Sequence, residues 1–189
     1  IDNETEEEEE EGLTIEKVEE EEEEEEEVEE GDDKIKIFPY EKGKEFKGII
    51  NYLTKKTGGN IHDNGTIEIS SNSIYGNSYL PQNSVDYQNN NIYHSMSSKK
   101  DVYIRYDFKD RSIQASAYSI QSASSNALHL KNWVIEVSED GQKWQEIDHR
   151  TNNSELNGFN NKSRFDVNNP QNKFYRYIQL RQTGEGWYN

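Results

Sequence analysis

The stretch that most constrains the fold is "NWVIEVSEDGQKW", residues 132–144. Apolar and polar residues alternate as in a β-strand, which predicts that Trp133 lies on a core face. The Asp-Gly pair at 140–141 is a strong hairpin-turn signal, and Trp144 begins or immediately precedes the return strand. We assign both tryptophans to the structural core; the alternative is a paired-aromatic platform for a ligand.

Further short segments of β-type pattern are separated by turns rich in Asn, Ser and Gly. The spacing of these segments predicts an all-β fold, a β-sandwich. Besides the hairpin, the predicted strands are "GTIEISS" (65–71), "DVYIRYDF" (101–108), "SIQASAYSIQS" (112–122), "RFDV" (164–167) and "KFYRYIQLR" (173–181).

One segment has helical periodicity instead. Phe46, Ile49, Ile50 and Leu53 occupy positions i, i+3, i+4 and i+7, which form one face of a helix. Gly58 is suited to end it in the left-handed conformation. We therefore predict one short N-terminal helix, and a single helix excludes an architecture of repeated βαβ units.

The charge of the chain is concentrated in its first 33 residues. Residues 1–33 hold 22 acidic residues and one lysine, a net of −21, whereas residues 34–189 have a net charge of +4. Such a segment cannot bury a core, so we predict a disordered acidic tail or linker before a domain over 34–189. The alternative is that the tail contacts basic proteins such as histones.

Composition also bears on the compartment. The chain has no cysteine, which favours a reducing compartment. It shows neither a signal-peptide pattern nor an apolar run long enough for a transmembrane helix. We expect a cytoplasmic location, and the first residue, isoleucine, indicates a fragment.

A family resemblance rests on four motifs in order: "IEISS", "DVYIRYDF", "NWVIEVSEDGQKW" and "YRYIQLRQTG". Together they resemble the F5/8 type C, or discoidin, domain, and most closely the intracellular versions found beside BTB domains. The resemblance covers about residues 37–189 and implies an eight-stranded jelly-roll sandwich of the galactose-binding-like type. The family pattern continues for one more strand beyond "GEGWYN", so we expect a domain truncated at its C-terminus that lacks its last strand.

In relatives, ligands meet three loops at one end of the sandwich, which match residues 72–80, 89–98 and 122–130. Aromatic rings stack on sugars or fill protein interfaces, while Asn, His and Tyr supply directional hydrogen bonds. The alternative is that the loop tyrosines only pack against their own loops. The candidate ligand-binding residues are Tyr75, Tyr79, Tyr93, His94, Asn126 and His129. We assign Trp187, near the end of the chain, to the structural core with Trp133 and Trp144.

Several functional classes lack support in the sequence. There is no G-x-S-x-G, H-E-x-x-H or P-loop motif, so we expect no enzyme and no cofactor. His94 and His129 have no carboxylate at ligand spacing, which predicts no metal site. Basic residues form no stripe beside the aromatic ones, and apolar residues at the loop tips are sparse. We therefore expect no nucleic-acid partner and no membrane binding.

Two hypotheses for a non-catalytic recognition module follow. The first is an intracellular protein-interaction domain that recruits a substrate through the loop end. The second is a carbohydrate-binding, lectin-like module of a surface or secreted protein, in which the same loops hold a glycan. In both, the partner lies at the loop end, and the acidic tail is a third candidate for partner binding.

Overall fold

Two antiparallel sheets and one α-helix make up the described part of the chain. The computed structural model describes residues 35–87, 91–96, 100–124, 129–169 and 172–187, and the predicted acidic tail over residues 1–33 lies outside them. All the elements belong to one compact unit, Phe38–Asn189; of a second unit, Ile1–Ile37, only residues 35–37 are described. In chain order the elements are α1 (Ile49–Thr57), β1 (Glu68–Ser71), a 3-10 helix (Pro81–Val85), β2 (Tyr103–Asp107), β3 (Ala117–Gln121), β4 (Trp133–Ser138), β5 (Gln145–Arg150), β6 (Lys162–Asp166) and β7 (Tyr177–Gln182).

The sheets pack face to face as a sandwich. The larger sheet has the strand order β1-β2-β7-β4-β5, and the smaller sheet consists of β3 and β6. Every strand pair is antiparallel. The predicted all-β sandwich with one short helix is therefore confirmed, with seven strands in the described residues where the resemblance implied eight.

The helix is shorter than the apolar stripe that predicts it. α1 begins at Ile49, so Phe46 precedes it, and Gly48 at its N-cap has extended backbone angles. Gly58 ends the helix as expected, with a positive φ of 74°, but its ψ of 125° differs from that of the predicted left-handed conformation. Glycine costs helix stability in an interior position, and this explains why the helix does not extend back to Phe46.

The hairpin over residues 132–148 follows the predicted pattern on one face and departs from it on the other. Trp133 is fully buried against the smaller sheet. Trp144 directly precedes β5 and is half-buried on the outer face, the face of the larger sheet that points away from the smaller one. There its ring contacts the Tyr177 ring edge-on, with centroids 6.5 Å apart. The turn lies so close to Tyr177 that a Cβ on Gly141, whose φ is 71°, would be 3.3 Å from the Tyr177 ring.

Apolar side chains form two core clusters. The first packs α1 and the segment before β1 against β1 and β2, and the second fills the space between the two sheets. The first contains Leu53, Ile61, Ile67, Ile69, Val85, Ile104 and Phe108, and the second Trp133, Ile135, Val137, Ile147, Leu156, Phe165 and Tyr175.

A chain of hydrogen bonds ties the two sheets together inside the second cluster. The Trp133 indole Nε1–H donates to the Tyr118 hydroxyl at 2.7 Å, and that hydroxyl donates to Asp148 Oδ2 at 2.5 Å. Arg150 Nε donates to the same carboxylate oxygen at 2.8 Å, while its Nη2 donates to the carbonyl of Asp166. Burial, together with the hydrogen bond to Asp148, raises the pKa of the Tyr118 phenol. The network joins β3, β4, β5 and β6.

The first prediction concerns the Tyr118 hydroxyl. Tyr118→Phe should lower the free energy of unfolding by about 1–3 kcal/mol, because it leaves the buried Trp133 N–H without an acceptor. Urea denaturation followed by tryptophan fluorescence measures the change. Tyr40→Phe, which removes an exposed hydroxyl, is the matched control and should have little effect. A loss for Tyr118→Phe no larger than that of the control would show that the network does not hold the sheets together.

The second prediction concerns the segment before β1. A chain that starts at residue 66 keeps all seven strands but loses Leu53 and the fully buried Ile61. Removing large core side chains costs about 2–5 kcal/mol each, against a total stability of about 5–15 kcal/mol. Thermal unfolding should therefore be cooperative for residues 38–189 and absent for residues 66–189. Equal midpoints for the two chains would show that the first cluster is dispensable.

Candidate functional site

The strand register brings four connecting segments to one end of the larger sheet, which we call the loop end. At this end β1, β7 and β5 finish, while β2 and β4 start beside them. β3 runs on into the connection to β4, and β5 leads through its own connection to β6. The described parts of the three loop stretches expected to meet a ligand belong to this end. The described segments there are 72–87, 91–96, 100–102, 122–124, 129–132, 151–161 and 183–187.

Three of the six candidate residues form one cluster at the loop end, here called the tyrosine–histidine cluster: Tyr75, Tyr79 and His94. The Tyr75 and His94 rings lie 4.8 Å apart between centroids, and the Tyr79 ring lies 5.7 Å from each of them. Tyr75 keeps 58% of its surface exposed to solvent. The cluster therefore presents one exposed aromatic ring in contact with two less exposed rings.

Backbone hydrogen bonds hold the cluster in place. The Tyr75 N–H donates to the carbonyl of His94 at 2.8 Å, and the His94 N–H donates to the carbonyl of Tyr79 at 3.4 Å. The Tyr79 N–H in turn donates to the carbonyl of Gly76 at 2.9 Å. The backbone that carries the three rings is thus restrained before any ligand arrives, which lowers the entropic cost of binding.

Burial lowers the pKa of His94 below its ordinary value of 6.5. The imidazole is therefore neutral at pH 7, with one nitrogen that donates and one that accepts a hydrogen bond. The cluster offers aromatic surface and neutral hydrogen-bonding groups, without a charge.

Tyr93, the neighbour of His94, points into the protein. Its hydroxyl lies 2.6 Å from Ser71 Oγ and 2.8 Å from the carbonyl of Ser73, and its ring packs against the first core cluster. Burial raises the pKa of its phenol. The structure therefore places Tyr93 beneath the loop and His94 on its outer side.

His129 and Asn126 are not part of the cluster. His129 is buried, with 3% of its surface exposed, and its Nδ1 accepts a hydrogen bond from the Gly158 N–H at 3.1 Å. Its carbonyl accepts the N–H of Trp187 at 2.8 Å. Asn126 lies outside the described residues.

A second aromatic area of the loop end surrounds His129. Phe159 is exposed and meets the His129 ring edge-on, with centroids 6.0 Å apart. Trp187 is half-buried, its Nε1–H donates to the carbonyl of Asn153, and the Lys131 ammonium lies 4.2 Å from its ring centroid. Sequence reasoning missed Phe159, although a phenylalanine inside the turn-rich "LNGFNN" has no strand face on which to be buried.

Over the described ranges, no group of three or more His, Asp or Glu side chains is placed to hold a metal ion. None of the described helices has the length and apolar character needed to cross a bilayer.

Comparison with known proteins identifies the domain type. The sequence model of the F5/8 type C domain matches residues 66–189 of this chain. No curated protein matches the chain.

Solved structures share the fold at low sequence identity. CpGH89CBM32-5 from Clostridium perfringens, solved in complex with GalNAc-β-1,3-galactose, is 16% identical with a TM-score of 0.53, over 64% of this chain and 86% of that one. The family 32 CBM of C. perfringens NanJ, solved in complex with galactose, is 13% identical with a TM-score of 0.51, over 64% and 85% of the two chains. These similarities show a common galactose-binding-like β-sandwich.

The third prediction concerns the titration of His94. An NMR titration of the imidazole signals should give a pKa below 6.5 in the folded protein and an ordinary value in urea. Between these two pKa values the unfolded chain binds more protons, so the free energy of unfolding falls as the pH drops below 6.5. His94→Gln should remove that part of the pH dependence. A folded-state pKa at or above 6.5 would show that the ring is solvated rather than packed.

Proposed function

This chain belongs to the F5/8 type C domain family, and from that premise we propose that it is a carbohydrate-binding module. The family is one of binding modules. We propose that the ligand is a neutral glycan and that it binds at the loop end, over the tyrosine–histidine cluster.

The exposed ring of Tyr75 is the observation that carries this proposal. A sugar ring presents C–H groups on one face, and these pack on the face of an aromatic side chain. Tyr75 is exposed, and its ring contacts those of His94 and Tyr79. The hydroxyl groups of a sugar need directional donors and acceptors, which the neutral imidazole of His94 can supply.

The charge of residues 72–96, the part of the loop that carries the cluster, supports a neutral ligand. Residues 72–96 contain no lysine or arginine. Their one carboxylate, on Asp86, accepts a hydrogen bond from Asn91. An acidic sugar would find no cation in this segment to pair with its carboxylate.

The likeness to solved carbohydrate-binding modules supports the same proposal at the level of fold. The two Clostridium perfringens structures contain galactose or GalNAc-β-1,3-galactose.

The fourth prediction tests the glycan proposal. On a glycan array, residues 38–189 should bind neutral glycans in preference to sialylated or sulfated ones. Tyr75→Ala should weaken binding at least tenfold, because loss of the ring removes about 1.4 kcal/mol or more of stacking and burial. Tyr40→Ala, which removes another exposed tyrosine outside the loop end, is the control and should bind normally. A folded protein that binds no glycan, or that binds equally well without Tyr75, would refute the proposal.

A second candidate function is recruitment of a protein partner inside the cell, as in the domains found beside BTB domains. The observation that favours it is exposed apolar surface at the loop end, where Met96 is 72% exposed and Phe159 is also open to solvent. Methionine and aromatic residues are enriched in protein interfaces. If this proposal is correct, Met96→Glu should abolish capture of the partner from cytoplasmic extract. The domain without substitutions should then give no glycan-array signal, and Tyr75→Ala should leave that result unchanged.

A further inference from the structure

The outer face of the larger sheet carries polar and aromatic side chains that the loop end does not use. The turn between β4 and β5 folds over this face and brings Trp144 onto it. Beneath it, Glu136 and Gln179 are buried although both are polar. Such a buried polar layer requires that each group finds a partner.

The arginines of the chain differ in how their charge is compensated. The sequence has six, and all lie in described segments. Five of them bond a carboxylate: Arg111 with Asp110, Arg150 with Asp148, Arg164 with Asp166, Arg176 with Asp107, and Arg181 with Glu136. Within the segments that the structure describes, Arg105 is the exception.

Arg105 is held in a fixed orientation. Its Nε and Nη2 both donate to Gln179 Oε1, at 3.2 and 3.1 Å. The amide of Gln179 is itself fixed, because its Nε2 donates to Glu136 Oε2 at 2.7 Å. The guanidinium carbon lies 4.9 Å from the Tyr103 ring centroid and 4.5 Å from that of Trp144. Two rings and one amide thus restrain the side chain before any ligand is bound.

The remaining donors of Arg105 point to a specific kind of ligand. A guanidinium has five N–H groups, and two are used on the Nε–Nη2 side. The pair of N–H groups between Nη1 and Nη2 makes no hydrogen bond to any residue that the structure describes, and that pair matches a carboxylate in a two-pronged arrangement. We propose that Arg105 is an anchor for an acidic side chain, aspartate or glutamate, of a protein partner that docks on the outer face of the larger sheet.

The same geometry favours an acidic peptide over an acidic sugar. The guanidinium covers one face of both Tyr103 and Trp144. A sugar ring therefore cannot stack on those faces. A carboxylate on a flexible side chain needs only the open pair of N–H groups. This surface is separate from the tyrosine–histidine cluster, so the inference holds whatever the loop end binds.

The experiment uses the compact unit of residues 38–189, which lacks the glutamate runs of residues 1–33, and two capped peptides, hexaglutamate and hexaglutamine. NMR titration should show that hexaglutamate shifts the side-chain signals of Arg105 and the indole signal of Trp144, whereas hexaglutamine does not. Arg105→Lys keeps the charge but loses the two-pronged donor, so it should weaken hexaglutamate binding about tenfold. Arg176→Gln removes an arginine on the same face that already has a carboxylate partner, and it should change the affinity less than twofold.

Three outcomes would overturn the proposal. If hexaglutamate does not shift the Arg105 and Trp144 signals, Arg105 is not an anchor for acidic side chains. This measurement uses the protein without substitutions, so it does not depend on how any variant folds. Equal weakening by Arg176→Gln would make the effect general charge attraction. Tighter binding of trigalacturonate than of hexaglutamate at the same signals would make the ligand an acidic glycan.

Discussion

The buried indole N–H of Trp133 is the constraint on which the sandwich depends. A tryptophan fills the space between two sheets, but its N–H has to find an acceptor in a region without water. The hydroxyl of Tyr118, on the smaller sheet, accepts this hydrogen bond and donates one of its own to Asp148. Arg150 then balances the carboxylate and reaches the backbone of β6. One side chain on β4 thereby fixes how the smaller sheet sits on the larger one, and a two-stranded sheet is only marginally stable without such packing.

At the loop end, asparagine side chains supply hydrogen-bond partners to backbone groups of the loops. Asn72 donates to the carbonyl of Asp101 and accepts from the N–H of Tyr103. Asn83 bonds the carbonyls of Ser78 and Ile92 through its Nδ2. Long segments without regular structure leave many backbone groups to be satisfied, and asparagine side chains do this without adding apolar surface. An aromatic cluster on such loops can be rigid although little of the loop is buried.

The sequence predicts the strands and turns better than it predicts the direction in which individual side chains point. Alternation over 132–138 and the Asp-Gly turn identify the hairpin, because period and turn chemistry are local properties. Which of the neighbours Tyr93 and His94 faces outward depends on the core that lies behind the loop. The sequence therefore offers both equally as ligand-binding residues. Trp144 is a large apolar residue of the kind that commonly lies in a core. The close approach of the turn to Tyr177 instead places it on the outer face. The importance of Arg105 is visible only when the carboxylates around each arginine are known.

The loop end and the outer face meet at one strand. Asn72, from the loop that carries Tyr75, bonds the backbone of Tyr103, whose ring flanks Arg105. Energetic coupling between two sites requires an element with two arrangements that both ligands bias. Here the connection is a hydrogen bond from the Tyr103 N–H to the Asn72 side chain at the start of β2, a strand that is paired on both sides. A strand held in this way transmits little movement, so a ligand on the loops and an acidic partner on the sheet should bind independently, and one module could hold both at once.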